Sequence, residues 1–251
     1  MPGRGRAWLV MLLASPVIAG ATEPVVQMEW YASSDPTTPI TFNPADIGDS
    51  IPGDDGSTIY TGSLMGDHWE VAWTTRARND ATGDYLDAGL SIINLSSEAQ
   101  SFYFDTRLNL PNDPGNAATV ALAASLALTN MDFAGEASVM SFGSEPIVQA
   151  TLGGFQAATI FDAPYELVAM GPFASAVDSD LTSEIPGIHP AETIGILTSF
   201  SLSPGDLLNI TYVVDVSAIP VPGTLAVLAL AVMGSRRRRR RDISLKWEAN
   251  S

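Results

Sequence analysis

The chain has 251 residues, 46% of them apolar, and a formal net charge of −16. That is enough for one core of ordinary size plus targeting segments, and it excludes wholesale disorder. No cysteine is present, which excludes a disulfide framework, a thiolate metal site and a cysteine nucleophile.

The first element is an address. Arg4 and Arg6 precede the apolar run Ala7 to Ile18, and Ala19-Gly20-Ala21 follows with small residues at the −3 and −1 positions. These three parts in this order predict a secretory signal peptide over residues 1–21, passed by the secretion machinery and cut by signal peptidase after Ala21. Residues 22–56 are rich in Pro, Asp and Thr and read as an irregular lead-in.

From residue 57 to 217 the dominant period is two. Ser57 to Gly62 opens the series. In "HWEVAWTTRAR", Trp69, Val71, Trp73, Thr75 and Ala77 share one face, and His68, Glu70, Thr74, Arg76 and Arg78 the other. After Tyr85 to Asn94, the stretch "SFYFDTRLNL" sets Phe102, Phe104, Thr106, Leu108 and Leu110 against Ser101, Tyr103, Asp105, Arg107 and Asn109. "TVALAASLALT" is alanine-rich, but Val120, Leu122, Ala124, Leu126 and Leu128 alternate, which favours a strand over a helix. Ser138 to Phe142, Ile147 to Leu152 and Glu166 to Met170 are further strands. "TIGILTSFSL" and "LLNITYVVDV" are two more, joined by Ser203-Pro204-Gly205-Asp206, whose central Pro and Gly predict a type II turn. Strict alternation means half-buried strands. So many of them with no helical period predict an all-β, antiparallel β-sandwich of jelly-roll type.

The tail is a second address. Ala218 to Ser235 carries no charge over 18 residues, about 27 Å as a helix and just enough for a thin bilayer. Arg236, Arg237, Arg238, Arg239, Arg240 and Arg241 follow at once. Six guanidiniums resist translocation, so they predict a stop-transfer signal with residues 242–251 as a cytoplasmic tail and the body across the inner membrane.

Proline motif, short apolar helix and arginine cluster together resemble the PEP-CTERM sorting signal. Pro220-Val221-Pro222, with Gly223 and Thr224 behind, stands where that family has Pro-Glu-Pro. The resemblance covers residues 218–241. It implies an exported protein of a biofilm-forming bacterium, processed by an exosortase (a membrane protease-transpeptidase) and linked to exopolysaccharide. Family bodies often look like such sandwiches. Val221-Pro222-Gly223-Thr224-Leu225 is also similar to the sortase motif Leu-Pro-x-Thr-Gly, with valine and leucine at two of the fixed positions.

Charge narrows the partners. From Thr22 to Ile219 three basic residues, Arg76, Arg78 and Arg107, stand against 26 acidic ones, a net charge of −23. Such a surface repels DNA, RNA and anionic lipid, so no nucleic acid partner is expected. Of two histidines, His68 lies on the polar face of a strand and His189 in a loop. Neither belongs to an HExxH motif, and no G-x-S-x-G elbow occurs. The cation candidate is "RNDATGDYLD", where Asp80, Asp84 and Asp87 offer hard oxygens on a glycine-containing turn, as calcium prefers. Asp46, Asp49, Asp54 and Asp55 form a second acidic loop. Trp69 and Trp73 share the face of Val71 and read as core.

The function expected from sequence is therefore a non-enzymatic, exported surface or matrix protein with no obligatory cofactor. A calcium- or polysaccharide-binding module is the alternative. A carbohydrate-active hydrolase is the third reading, and it requires two facing carboxylates across a cleft.

Overall fold

The computed structural model describes residues 24–35, 37–80, 83–110, 118–133, 135–184 and 192–218. In chain order its elements are β1 (Val26–Ala32), β2 (Ile40–Phe42), α1 (Pro44–Ile47), β3 (Asp49–Pro52), β4 (Thr58–Met65), β5 (Trp69–Asp80), β6 (Gly83–Asn94) and β7 (Gln100–Asn109). They continue with β8 (Ala118–Thr129), β9 (Glu136–Ser141), β10 (Val148–Leu152), β11 (Phe155–Ile160), β12 (Glu166–Met170), β13 (Ser175–Glu184), β14 (Thr193–Leu202) and β15 (Leu207–Ala218). The strands build two antiparallel sheets. The first runs β11-β10-β14-β7-β1-β2, with β9 also on β14 and β12 beyond it; the second runs β13-β8-β15-β6-β5-β4-β3.

The sheets meet through the alternating faces. Trp69, Val71, Trp73 and Ala77 of β5, Leu86 to Ile92 at every second position of β6, and Leu208 to Val216 likewise on β15 are buried. They face Phe102, Phe104 and Leu108 of β7 and Ile194, Ile196, Phe200 and Leu202 of β14. Each strand is apolar inward because only that face leaves water. β8 is a strand throughout, paired along its length with β15 and β13. Its period-two leucines decide the matter over its alanine content. The turn at Ser203 to Asp206 has Gly205 at φ +73°, the left-handed value that the third residue of a type II turn requires.

Residues 22–56 depart from expectation. β1 is an interior strand of the first sheet, bonded to β7 on one side and β2 on the other. Val26, Met28, Trp30 and Ala32 are fully buried. Of the Pro, Asp and Thr that suggested irregular chain, Asp35, Thr37, Thr38 and Pro39 sit in the β1–β2 link, whereas Thr41 lies in β2, Pro44 and Asp46 in α1, and Asp49 and Pro52 in β3; Asn43 caps the single turn of α1 by accepting from the Ala45 N–H at 2.9 Å. β11 and β13 were also unexpected. Both close one edge of a sheet, and β13 is exposed at most positions on both faces. Such an edge strand needs no hydrophobic alternation.

Candidate functional site

Sheet register brings three strands of distant sequence together on the outer face of the first sheet. Tyr31 of β1 stands opposite Tyr103 of β7, Glu29 opposite Asp105, and Gln27 opposite Arg107. On the other side of β7, Ser199, Leu197 and Gly195 of β14 face Tyr103, Asp105 and Arg107 in turn. Their neighbours inward in sequence, such as Phe104 and Thr106, point into the core, so the outward row follows from the same alternation that builds the sandwich.

Two shallow depressions share Glu29 and lie end to end along β7. One, of about 260 Å³, is lined by Glu29, Tyr31, Pro39, Ser101, Phe102, Tyr103, Phe142 and Ser199. The other, of about 140 Å³, is lined by Gln27, Met28, Glu29, Thr41, Asp105 and Arg107. Pro39 from the β1–β2 link and Phe142 from the β9–β10 link bound the first depression. From Tyr103 to Arg107 the floor spans four residue steps, roughly 13 Å at strand spacing.

The electrostatics of the floor are unusual for an outward face. Asp105 is 4% exposed and ion-pairs with Arg107. Burial nevertheless wins: it pushes the Asp105 carboxyl above its ordinary value of 3.8, against the lowering by Arg107, and nearby Glu29 adds to the rise. Burial also raises the Tyr103 phenol, with Asp105 and Glu29 acting in the same direction. Gly195 leaves room beside β7 for the Thr151 side chain of β10: a Cβ there would meet Thr151 Oγ1 at 2.6 Å and the Thr106 carbonyl oxygen at 3.3 Å.

A pH prediction follows. A carboxyl whose folded pKa is raised disfavours folding once ionised, so its penalty appears as pH climbs through the folded pKa and is absent well below 3.8. Asp105→Asn removes that penalty. The variant is expected to match the native chain in stability near pH 3 and to equal or exceed it at pH 7, where Arg107 remains half in water. Thermal melts across this range check it; a variant clearly less stable at pH 7 would show that the ion pair outweighs desolvation.

The acidic loop proposed for calcium is described only in part. Asp84 lies on the same side of β6 as the buried Leu86, whereas Asp87 lies on the outward side, opposite Arg76 in register, and accepts from Tyr85 Oη at 3.2 Å. Asp80 ends β5 opposite Gly83, and residues 81–82 between them lie outside the described residues. Among the described residues no group of three or more histidine or acidic side chains is placed to hold a metal ion. In the second acidic loop, Asp55 bonds Ser57 Oγ at 2.5 Å and Arg76 Nη2 at 2.7 Å. These partners, Ser57 first, hold its carboxyl far below the usual range.

Trp69 and Trp73 are core residues, 2% and 3% exposed. His68 is exposed and lines a depression of about 370 Å³ with Asp35, Thr37, Asp67 and Trp69. Asp35 there accepts from the Thr37 N–H at 2.8 Å, Thr37 Oγ1 at 2.6 Å and Trp69 Nε1 at 3.2 Å, so its oxygens are already engaged. His189, Pro220 to Thr224 and Arg236 to Arg241 lie outside the described residues, as do residues 1–23. Among the described residues no helix is long and apolar enough to cross a membrane.

Sequence reasoning placed Tyr103, Asp105 and Arg107 on one polar face but missed the site. Its other wall comes from β1, whose own alternation of Val26, Met28 and Trp30 against Gln27, Glu29 and Tyr31 was the available signal.

No protein-family model matches the chain, nor does any curated protein. Among solved structures, TmCBM61 in complex with β-1,4-galactotriose is similar over 58% of this chain and 86% of that chain, at 14% identity and a TM-score of 0.26. A likeness of that size bears neither on the fold nor on a ligand here.

Proposed function

We propose that the protein is exported, held by its C-terminal tail and non-catalytic, and that it presents a jelly-roll body at the cell surface or in the extracellular matrix. The observation that carries this reading is the placement of the first and last strands. β1 pairs with both β2 and β7, and β15 pairs with both β6 and β8. Neither needs a partner from the signal segment or the anchor, so cleavage at one end and membrane insertion or processing at the other leave the sheets closed. The jelly-roll assignment is supported by strand order: β6-β15-β8-β13 in one sheet lies against β7-β14-β10-β11 in the other, and the chain crosses between sheets at each step of this set except the β10–β11 hairpin.

In this reading the partners are the secretion machinery, signal peptidase, the inner membrane and an exosortase-like enzyme acting at Pro220 to Thr224. The non-catalytic part of the reading rests on the sequence, in which no HExxH and no G-x-S-x-G motif occurs. Intact-mass measurement on separated fractions of the native host tests the reading. The expected species begins at Thr22 and is found in the membrane or outside the cell, ending near Pro222 if the tail is processed. A cytoplasmic species that begins at Met1 would overturn it.

A further inference from the structure

We infer that the groove along β7 binds a neutral polysaccharide chain, with Tyr31, Tyr103 and Phe142 as the stacking shelf and Glu29 and Arg107 as the polar floor. The inference rests on the export reading only for location, since a glycan of this kind is met outside the cytoplasm.

Three observations carry it. First, Phe142 is 53% exposed and Tyr31 37%, and both line one depression with the half-buried Tyr103. Aromatic rings left in water on a sheet floor, rather than folded into the core, offer flat apolar faces. A pyranose presents C–H bonds on its own faces, which lie against such rings.

Second, the polar groups beside the shelf are of both kinds. The Glu29 carboxylate only accepts hydrogen bonds and the Arg107 guanidinium only donates them. Hydroxyls do both, so a polyol satisfies each. The ion pair with Asp105 fixes the guanidinium before any ligand arrives, which lowers the ordering cost of binding.

Third, charge selects against acidic chains. The groove holds Glu29 and Asp105 against Arg107, in a body of net charge −23. A uronic-acid or sulfated polymer would be repelled. The groove is also open and long, with two depressions meeting at Glu29. That form suits an extended chain better than a single compact ligand.

The test is electrophoresis of the full chain, purified in mild detergent, through native gels with and without a soluble glucan, galactan or mannan. Slowed migration is expected in at least one of the three. Tyr31→Ala and Phe142→Ala should each weaken it about tenfold, the scale of losing one stacking face. Leu181→Ala, exposed on the far sheet at β13, should leave it unchanged. Both groove substitutions are at surface positions, and an unchanged melting temperature confirms that each variant is folded. No slowing in any gel would overturn the proposal, as would equal slowing of the native chain and both groove variants. Binding of choline lost on the same substitutions, without glycan binding, would overturn it in favour of a quaternary-ammonium site. A chain found only in the cytoplasm would sink the export reading and leave this gel result standing.

Discussion

Asn94→Ala is expected to lower the stability of the folded chain by about 4 kcal/mol. Asn94 ends β6 and is fully buried. Its amide nitrogen reaches three backbone carbonyls: Glu98 at 2.9 Å, and Leu202 and Ser203 at 3.0 Å each. Its side-chain oxygen accepts from Ser96 N at 3.0 Å and Gln100 Nε2 at 2.8 Å. Its backbone joins in, accepting from the Gly205 N–H at 2.8 Å and donating to Asp206 O at 3.1 Å. One residue thereby clamps the β6–β7 link onto the β14–β15 turn, and both connections pass between sheets. Alanine strands several buried groups without partners, and each such group costs about 1–3 kcal/mol. Guanidinium titration followed by tryptophan fluorescence reads the loss. A change below about 1 kcal/mol would mean that water replaces the amide, and that the clamp is not structural. Burial also decides a minor matter: Asn94-Leu95-Ser96 matches a glycosylation triplet, but the folded chain does not present this asparagine to solvent.

Trp30→Ala should cost a similar amount, about 3–5 kcal/mol. Trp30 is fully buried. Its ring lies 5.2 Å from that of Trp69, 5.5 Å from Phe102 and 5.9 Å from Phe104, centroid to centroid. It therefore ties β1 to β7 within its own sheet and to β5 across the core. The cavity left by alanine is large, and strands bonded on both sides cannot close over it. Thermal melting of the variant is the measurement. A small loss would place β1 at the periphery, as the composition of residues 22–56 had suggested. The same substitution should loosen the groove as well, because Glu29 and Tyr31 flank Trp30 and depend on the same strand.

What could be read from the sequence was whatever a short stretch of chain decides alone. Alternation of Trp69, Val71 and Trp73 against Glu70 and Thr74 sets which side of β5 is buried, whatever strand lies beside it. Pro204-Gly205 sets its turn by local sterics. The apolar tail and its arginines suggested an address for the same reason, since export and membrane machinery read linear segments. Alternation does not say which strands are neighbours. Asp105 and Arg107 were visible as outward residues of one strand, but Glu29 and Tyr31 lie more than seventy residues earlier, in a segment whose Pro and Asp content spoke for loop. Backbone pairing along seven positions, together with packing of Trp30 against Phe102 and Phe104, brings β1 beside β7. Phe142 reaches the same depression because β9 and β10 both dock on β14 and the link between them must loop outward. Strand pairing at such sequence separations is decided by which buried faces fit together. The fold class was thus fixed by local chemistry, and the groove was made by tertiary packing.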